Sequence, residues 1–280
     1  MRSGGQESGV GIREQIPAIS AAASTAGRLI VALDVPSLEG AARFVTTLAP
    51  AVRWFKVGSE LFTAVGPRAV TMILERGGKV FLDLKFHDIP RTVAAAVGAA
   101  ARLGVHMMNV HIGAGEETLR AAVRALDDIG PVTSHQSPVT SVRITNHESR
   151  NTRPLLLGVT QLTSHQDGPE VMAAVVDAAA RAKWCGLDGV IASAREAAAI
   201  KSACGPEFVV VTPGIRPAGA SSDDQRRTAT PAEAVLAGAD YLVVGRPVLD
   251  AVDPLAVVSG VIQEMEAAVR QESGVSERKS

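Results

Sequence analysis

Eight short, branched apolar runs punctuate this chain, near residues 29–34, 54–58, 80–85, 107–111, 155–161, 189–192, 208–212 and 241–245. Ala-rich stretches of helical period separate and follow them, near 37–48, 60–76, 91–103, 116–129, 169–185, 194–203, 231–237 and 254–269. Short strands that each lead into a helix form βαβ units, and such units assemble parallel sheets. Eight of them in series fit a closed (β/α)8 barrel, and 280 residues accord with the roughly 250 that such a barrel occupies as one domain. The competing architecture, an open doubly wound sheet, requires a Gly-x-Gly-x-x-Gly turn after the first strand, where this chain has Asp34-Val-Pro-Ser37.

Three segments fall outside the eightfold rhythm. Residues 1–27 and 271–280 are rich in Gly, Ser and charge and read as poorly ordered tails, leaving 28–270 for the barrel. Residues 131–154 are dominated by Ser, Thr, Asn, His and Arg with little periodicity, and read as a polar surface insertion.

Composition narrows the function classes. Basic and acidic side chains nearly cancel, 28 against 29, and aromatic residues make up 3% of the chain, so both the charge footprint and the stacking platforms of a nucleic-acid binder are lacking. A small-molecule partner is expected instead. Cys185 and Cys204 lack any Cys-x-x-Cys or Cys/His metal spacing and read as reduced apolar residues. No apolar run reaches the ~18 residues of a membrane span, and the first residues lack a charged leader followed by an apolar core. These features together imply a cytoplasmic protein with no membrane partner.

In a barrel of this kind functional residues sit at the C-terminal ends of strands or just beyond them. The third strand ends in Phe81-Leu-Asp-Leu-Lys85, where the period of two sends Leu82 and Leu84 to one face and Phe81, Asp83 and Lys85 to the other. Asp83 and Lys85 then share the barrel mouth, and each favours the charged form of its neighbour. A buried ion pair that only stabilises is the alternative, but buried pairs seldom outdo apolar replacements. Asp88 falls beyond the strand, just before Ile89-Pro90 opens the next helix, so it need not share that face. Asp34 and Lys56 at the ends of the first two strands add alternating charges, an arrangement costly to maintain without a polar ligand or a reaction.

Strands seven and eight end in Thr212-Pro-Gly-Ile-Arg-Pro217 and Val244-Gly-Arg-Pro247. Barrel phosphate sites are often built at those two ends; Gly245 permits close backbone approach and Arg246 offers a planar fork of donors. The polar stretch 218–227 reads as a lid over a bound phosphate, with Gln225 or a neighbouring arginine as its clamp. His87, Asp88 and His111 lie near adjacent strand ends but lack a recognised metal-ligand spacing. No metal is expected.

The ordered segments Ala32-Leu-Asp-Val35, Phe55-Lys-Val-Gly-Ser-Glu-Leu-Phe62, Asp83-Leu-Lys-Phe-His-Asp-Ile-Pro-Arg-Thr92, Val159-Thr-Gln-Leu-Thr-Ser164, Thr212-Pro-Gly-Ile-Arg-Pro217 and Val244-Gly-Arg-Pro247 resemble the orotidine 5'-phosphate decarboxylase family from about Leu29 to Pro247. Two departures are the insertion at 131–154 and Arg91, where Asn is usual. The resemblance implies cofactor-independent decarboxylation of orotidine 5'-monophosphate in pyrimidine synthesis, with Lys85 protonating C6 and Asp83 facing the substrate carboxylate. It implies that Lys56 holds the charge network and, with Asp34, contacts ribose hydroxyls. Thr163 would meet the pyrimidine, and Arg216, Gln225, Gly245 and Arg246 the phosphate. Asp88 and Thr92 would reach the neighbouring subunit's site, making a homodimer with composite sites.

Related barrels that decarboxylate or aldol-condense sugar phosphates with a divalent metal also carry an Asp-x-Lys pair, but the Phe-His-Asp-Ile-Pro-x-Thr extension speaks against them. An epimerase of ribulose phosphate would carry Met-Asp-x-Met-Asp-Gly, which is missing. A non-catalytic nucleotide-binding barrel would keep Arg246 but has no need of Lys85.

Overall fold

The computed structural model describes residues 24–129, 153–160, 169–217 and 228–276. Eight parallel strands, β1 (Leu29–Ala32), β2 (Trp54–Gly58), β3 (Lys79–Phe86), β4 (Met107–His111), β5 (Leu155–Val159), β6 (Gly189–Ile191), β7 (Val209–Thr212) and β8 (Tyr241–Val244), close into a barrel in sequence order. The closing pair joins β1 to β8 through Leu29–Leu242, Ile30–Val243 and Val31–Val244. Helices alternate with the strands: α1 (Leu38–Leu48), α2 (Ser59–Val65), α3 (Arg68–Glu75), α4 (Pro90–Arg102), α5 (Glu116–Ile129), α6 (Pro169–Trp184), α7 (Ala194–Cys204), α8 (Pro231–Leu236), α9 (Arg246–Leu249) and α10 (Pro254–Ser276). The (β/α)8 expectation is met.

Burial on both faces explains the strand sequences, since parallel strands under helices must be apolar throughout. Ile30, Ala32, Trp54, Phe81, Met107, Leu157, Val209, Val211, Tyr241 and Val243 fill the barrel interior. Their alternating neighbours, among them Val31, Phe55, Leu82, Met108 and Val210, pack under the helices. Helix starts follow local chemistry. Ser37 accepts from the Gly40 N–H, and Ser193/Glu196 and Thr230/Glu233 form reciprocal capping boxes before α7 and α8.

The structure departs from the periodicity at three places. The stretch 60–76 is two helices, because Gly66 turns through a left-handed φ of 63° and Pro67 follows it before α3. The first strand stops at Ala32, which leaves Asp34 in the loop beyond it. The last helix runs past residue 270 to Ser276.

A repeated hydrogen-bond device ties the N-terminal ends of the strands. The residues just before β4, β6 and β8 are His106, Asp188 and Asp240. Each donates its N–H to a carbonyl of the preceding strand (Val80, Leu156, Val210) at 2.9–3.0 Å. Each side chain then accepts the N–H of that same residue: His106 Nδ1 from Val80, Asp188 Oδ2 from Leu156 and Asp240 Oδ2 from Val210. Arg153 forks onto Asp188 at 2.8 and 2.9 Å, and Lys201 reaches Asp240 at 2.6 Å. The charges of Asp188 and Asp240 are thus both paired within the chain.

Candidate active site

The opposite mouth holds a cleft of about 230 Å³, open to solvent and lined by residues from the C-terminal ends of seven of the eight strands or the loops after them. Asp34, Lys56, Asp83, Lys85, Arg216, Gly245 and Arg246 all line it. Six charged side chains, on or just beyond β1, β2, β3, β7 and β8, therefore converge on one space.

They form a chain of ion pairs. Lys56 Nζ lies 3.0 Å from Asp34 Oδ1 and 3.2 Å from Asp83 Oδ2, and Lys85 Nζ donates to Asp83 Oδ1 at 2.6 Å. The Lys56 and Asp83 side chains are each 11% exposed and that of Lys85 is 40% exposed, so the outer ammonium is the more accessible of the two to a ligand. Glycine at 58 makes room for the inner pairs. A Cβ there would come within 3.1 Å of both Asp34 Oδ1 and Lys56 Nζ.

Burial alone would neutralise both inner groups, but the neighbouring charges prevail. Desolvation presses the Lys56 pKa down, yet Asp83 and then Asp34 outweigh it and raise it above the ordinary lysine value. Desolvation presses Asp83 up, yet Lys56 and Lys85, with hydrogen bonds from Lys85 and Asn109, hold it below the ordinary carboxylate value. The network is a fixed pattern of alternating charge.

Asn109, fully buried in β4, is a member that the motifs did not reveal. Its Nδ2 donates to Asp83 Oδ1 at 2.7 Å, and its Oδ1 accepts the Lys85 backbone N–H at 2.7 Å. The period of two that places Met107 inside the barrel places Asn109 there too, and a carboxamide in an apolar interior demands partners. That signal was available in the sequence. Lys85 has a φ of 52° and is the one non-glycine residue with positive φ among the described residues, a conformation that costs about 1–2 kcal/mol.

His111 and His87 stack at 4.9 Å beside the network, and His111 Nδ1 accepts the Gly113 N–H. Burial first, then the charges of His87 and Lys85, lower the His111 pKa. Among the described residues no three His, Cys, Asp or Glu side chains gather closely enough to hold a metal ion.

Asp88 and Thr92 lie outside the cleft on the exposed start of α4, where Asp88 Oδ1 accepts the N–H of Ile89, itself 64% exposed. One chain therefore does not bring them to Asp83 and Lys85. Arg216 is buried against the cleft, and its N–H bonds to the Ala229 carbonyl at 2.9 Å, which ties together the two ends of the 218–227 stretch. Thr163, Gln225 and nearly all of the 131–154 insertion lie outside the described residues.

Comparison with known proteins gives consistent results. Residues 27–261 match the model of the orotidine 5'-phosphate decarboxylase / HUMPS family. An orotidine 5'-phosphate decarboxylase of Moorella thermoacetica is 48% identical over 240 residues, covering 85% of this chain and 92% of that protein. One from Trichlorobacter lovleyi is 46% identical over 251 residues, covering 87% of this chain and 97% of that protein. The crystal structure of orotidine 5'-phosphate decarboxylase from Lactobacillus acidophilus superposes with a TM-score of 0.68 at 33% identity, covering 85% of this chain and 99% of that one.

Proposed function

Because the chain belongs to the orotidine 5'-phosphate decarboxylase / HUMPS family, we infer that it converts orotidine 5'-monophosphate to uridine 5'-monophosphate in pyrimidine synthesis, and that the barrel-mouth charge network does the chemistry. The observation that carries the mechanistic reading is the partly exposed Lys85 ammonium held 2.6 Å from the buried Asp83 carboxylate.

In this reading the bond from C6 to the carboxylate breaks, its electron pair stays on C6, and carbon dioxide leaves. A proton from Lys85 Nζ forms the new C6–H bond, and solvent then reprotonates the amine. A preorganised ammonium stabilises the developing carbanion more than the ground state, which is the condition for acceleration. Asp83 serves first to hold that ammonium and second to face the substrate carboxylate. Lys56 holds Asp83 in turn, and with Asp34 it takes the ribose hydroxyls. Arg216, Arg246 and the backbone at Gly245 take the phosphate, joined by Gln225, while Thr163 takes the pyrimidine. No cofactor enters the scheme.

The partner is a second copy of the chain. Asp88 and Thr92 complete the neighbouring site, a reading supported by their exposure outside their own cleft and by the exposed Ile89 between them. The single-domain layout and a cytoplasmic location belong to the same proposal; the barrel's last helix ends at Ser276, beyond the boundary at 270 expected from the sequence, and no helix among the described residues is long and apolar enough to cross a membrane.

Incubating metal-stripped protein with orotidine 5'-monophosphate and following the ultraviolet change tests the activity: turnover is expected, and none from folded protein would refute it. Mixing Lys85→Ala with Asp88→Ala subunits tests the shared sites. Activity returns if they are composite, and its absence in verified mixed dimers would contradict sharing.

A further inference from the structure

The ladder between β3 and β4 is broken where the chemistry sits. Leu82 pairs with Met108 and Phe86 with Val110, so Asp83, Leu84 and Lys85 all stand opposite the single residue Asn109. A bulge of that kind strips the strand of its regular hydrogen bonds and re-aims its side chains. The Asn109 carboxamide occupies the gap. It offers a carbonyl oxygen to the Lys85 N–H and an N–H to Asp83 Oδ1, both at 2.7 Å, as a peptide group of an unbroken strand would offer one acceptor and one donor.

We propose that Asn109 is a positioning residue for the decarboxylation: its side chain stands in for a strand peptide, fixing the left-handed backbone of Lys85 and the orientation of Asp83 so that the ammonium is presented to the reacting carbon. The proposal rests on Lys85 being the acid. Three features of the structure converge on it. Lys85 keeps a backbone conformation that costs energy, and such strain persists where surrounding structure over-determines it. Asn109 is 0% exposed and spends both ends of its amide on the two residues at issue. Asp83 Oδ1 is shared between Lys85 Nζ and Asn109 Nδ2, so the amide orients the same oxygen that holds the ammonium.

The charges facing Asp83 are Lys56 from β2 and Lys85 from its own strand, with Asp34 beyond Lys56 and His111 on β4 beside Lys85. The Asn109 donor assists the two lysines in keeping Asp83 ionised. Losing it moves the acidic limb of the pH–kcat profile upward.

The test compares Asn109→Ala and Asn109→Leu with wild type and with Lys85→Ala. Leucine keeps nearly the volume and fills the interior while removing both the acceptor for the Lys85 N–H and the donor to Asp83, so it decides the matter if alanine does not fold. Expected are a kcat lower by about tenfold to a hundredfold, binding of uridine 5'-monophosphate within about threefold of wild type, and an acidic limb shifted to higher pH in both variants. Wild-type kcat and pH profile in Asn109→Leu would overturn the inference. So would equal losses of kcat and nucleotide affinity with an unmoved acidic limb, the outcome of a merely structural role. If Lys85→Ala turns over normally, the reading of Lys85 as acid fails and takes this inference with it; if Lys85→Ala is inactive while the Asn109 variants are unimpaired, this inference alone fails.

Discussion

The two mouths of the barrel use the same kinds of residue and leave them in different conditions. At the N-terminal mouth Asp188 is met by the Arg153 fork and the Leu156 N–H, and Asp240 by Lys201 and the Val210 N–H, so each charge is consumed by the fold. At the C-terminal mouth the chain Asp34–Lys56–Asp83–Lys85 ends in an ammonium that faces open space, and its backbone is strained to put it there. Satisfied charge at one end makes stability; charge held toward a cleft at the other is what the proposed decarboxylation uses. Burial and pairing are common to both ends. What sets the proposed active site apart is a paired network with an exposed terminus and a conformational cost.

The comparison breaks first at Lys85. Lys85→Ala should lower kcat by about four orders of magnitude or more, the sum of a lost acid and a lost electrostatic stabiliser, while thermal unfolding moves by no more than about 1 kcal/mol because the side chain is partly solvated. Asp188→Ala should do the converse, costing about 3 kcal/mol of stability in denaturant titration by leaving the Leu156 N–H unmet and Arg153 with only its longer contacts to Asp127 and the Pro154 carbonyl, with kcat unchanged.

His106 gives the N-terminal mouth a pH signature. Burial first, then Lys79 and Arg53, depress its pKa to about 4 from an ordinary 6.5. The unfolded chain thus binds the proton more tightly between those values, so this group's stabilisation is complete above pH 6.5 and falls away as pH drops toward 4. The loss amounts to at most about 3 kcal/mol. His106→Asn keeps an acceptor for the Val80 N–H and should flatten the stability profile across that window; an unchanged slope would show that other groups carry it. The smallest effect is expected at Gly58→Ala, where the new Cβ presses on Asp34 and Lys56 at 3.1 Å. A loss of several-fold in kcat/KM with a stability change below about 1 kcal/mol would sharpen the contrast, and a large stability loss with full activity would blunt it.

Much of this was legible in the sequence, for identifiable reasons. Apolar runs such as Leu29–Ala32 and Tyr241–Val244 report burial on both faces, so counting them yields the barrel. Alternation within β3 separates Leu82 and Leu84 from Asp83 and Lys85, and the structure packs the leucines under helices and the charged pair against the cleft. The break at Gly66-Pro67 was hidden because the apolar period continues across it. The bulge in β3 and the left-handed Lys85 depend on pairing with β4, a non-local property that no period along one strand encodes. Asn109 was visible as an inward polar residue, but its partners belong to a neighbouring strand.

The most direct test of the account measures kcat and unfolding free energy together on Lys85→Ala and Asp188→Ala. The account predicts a crossed result: Lys85→Ala folded and inactive, Asp188→Ala active and less stable. Losses of both quantities in both variants, or turnover retained in Lys85→Ala, would contradict it.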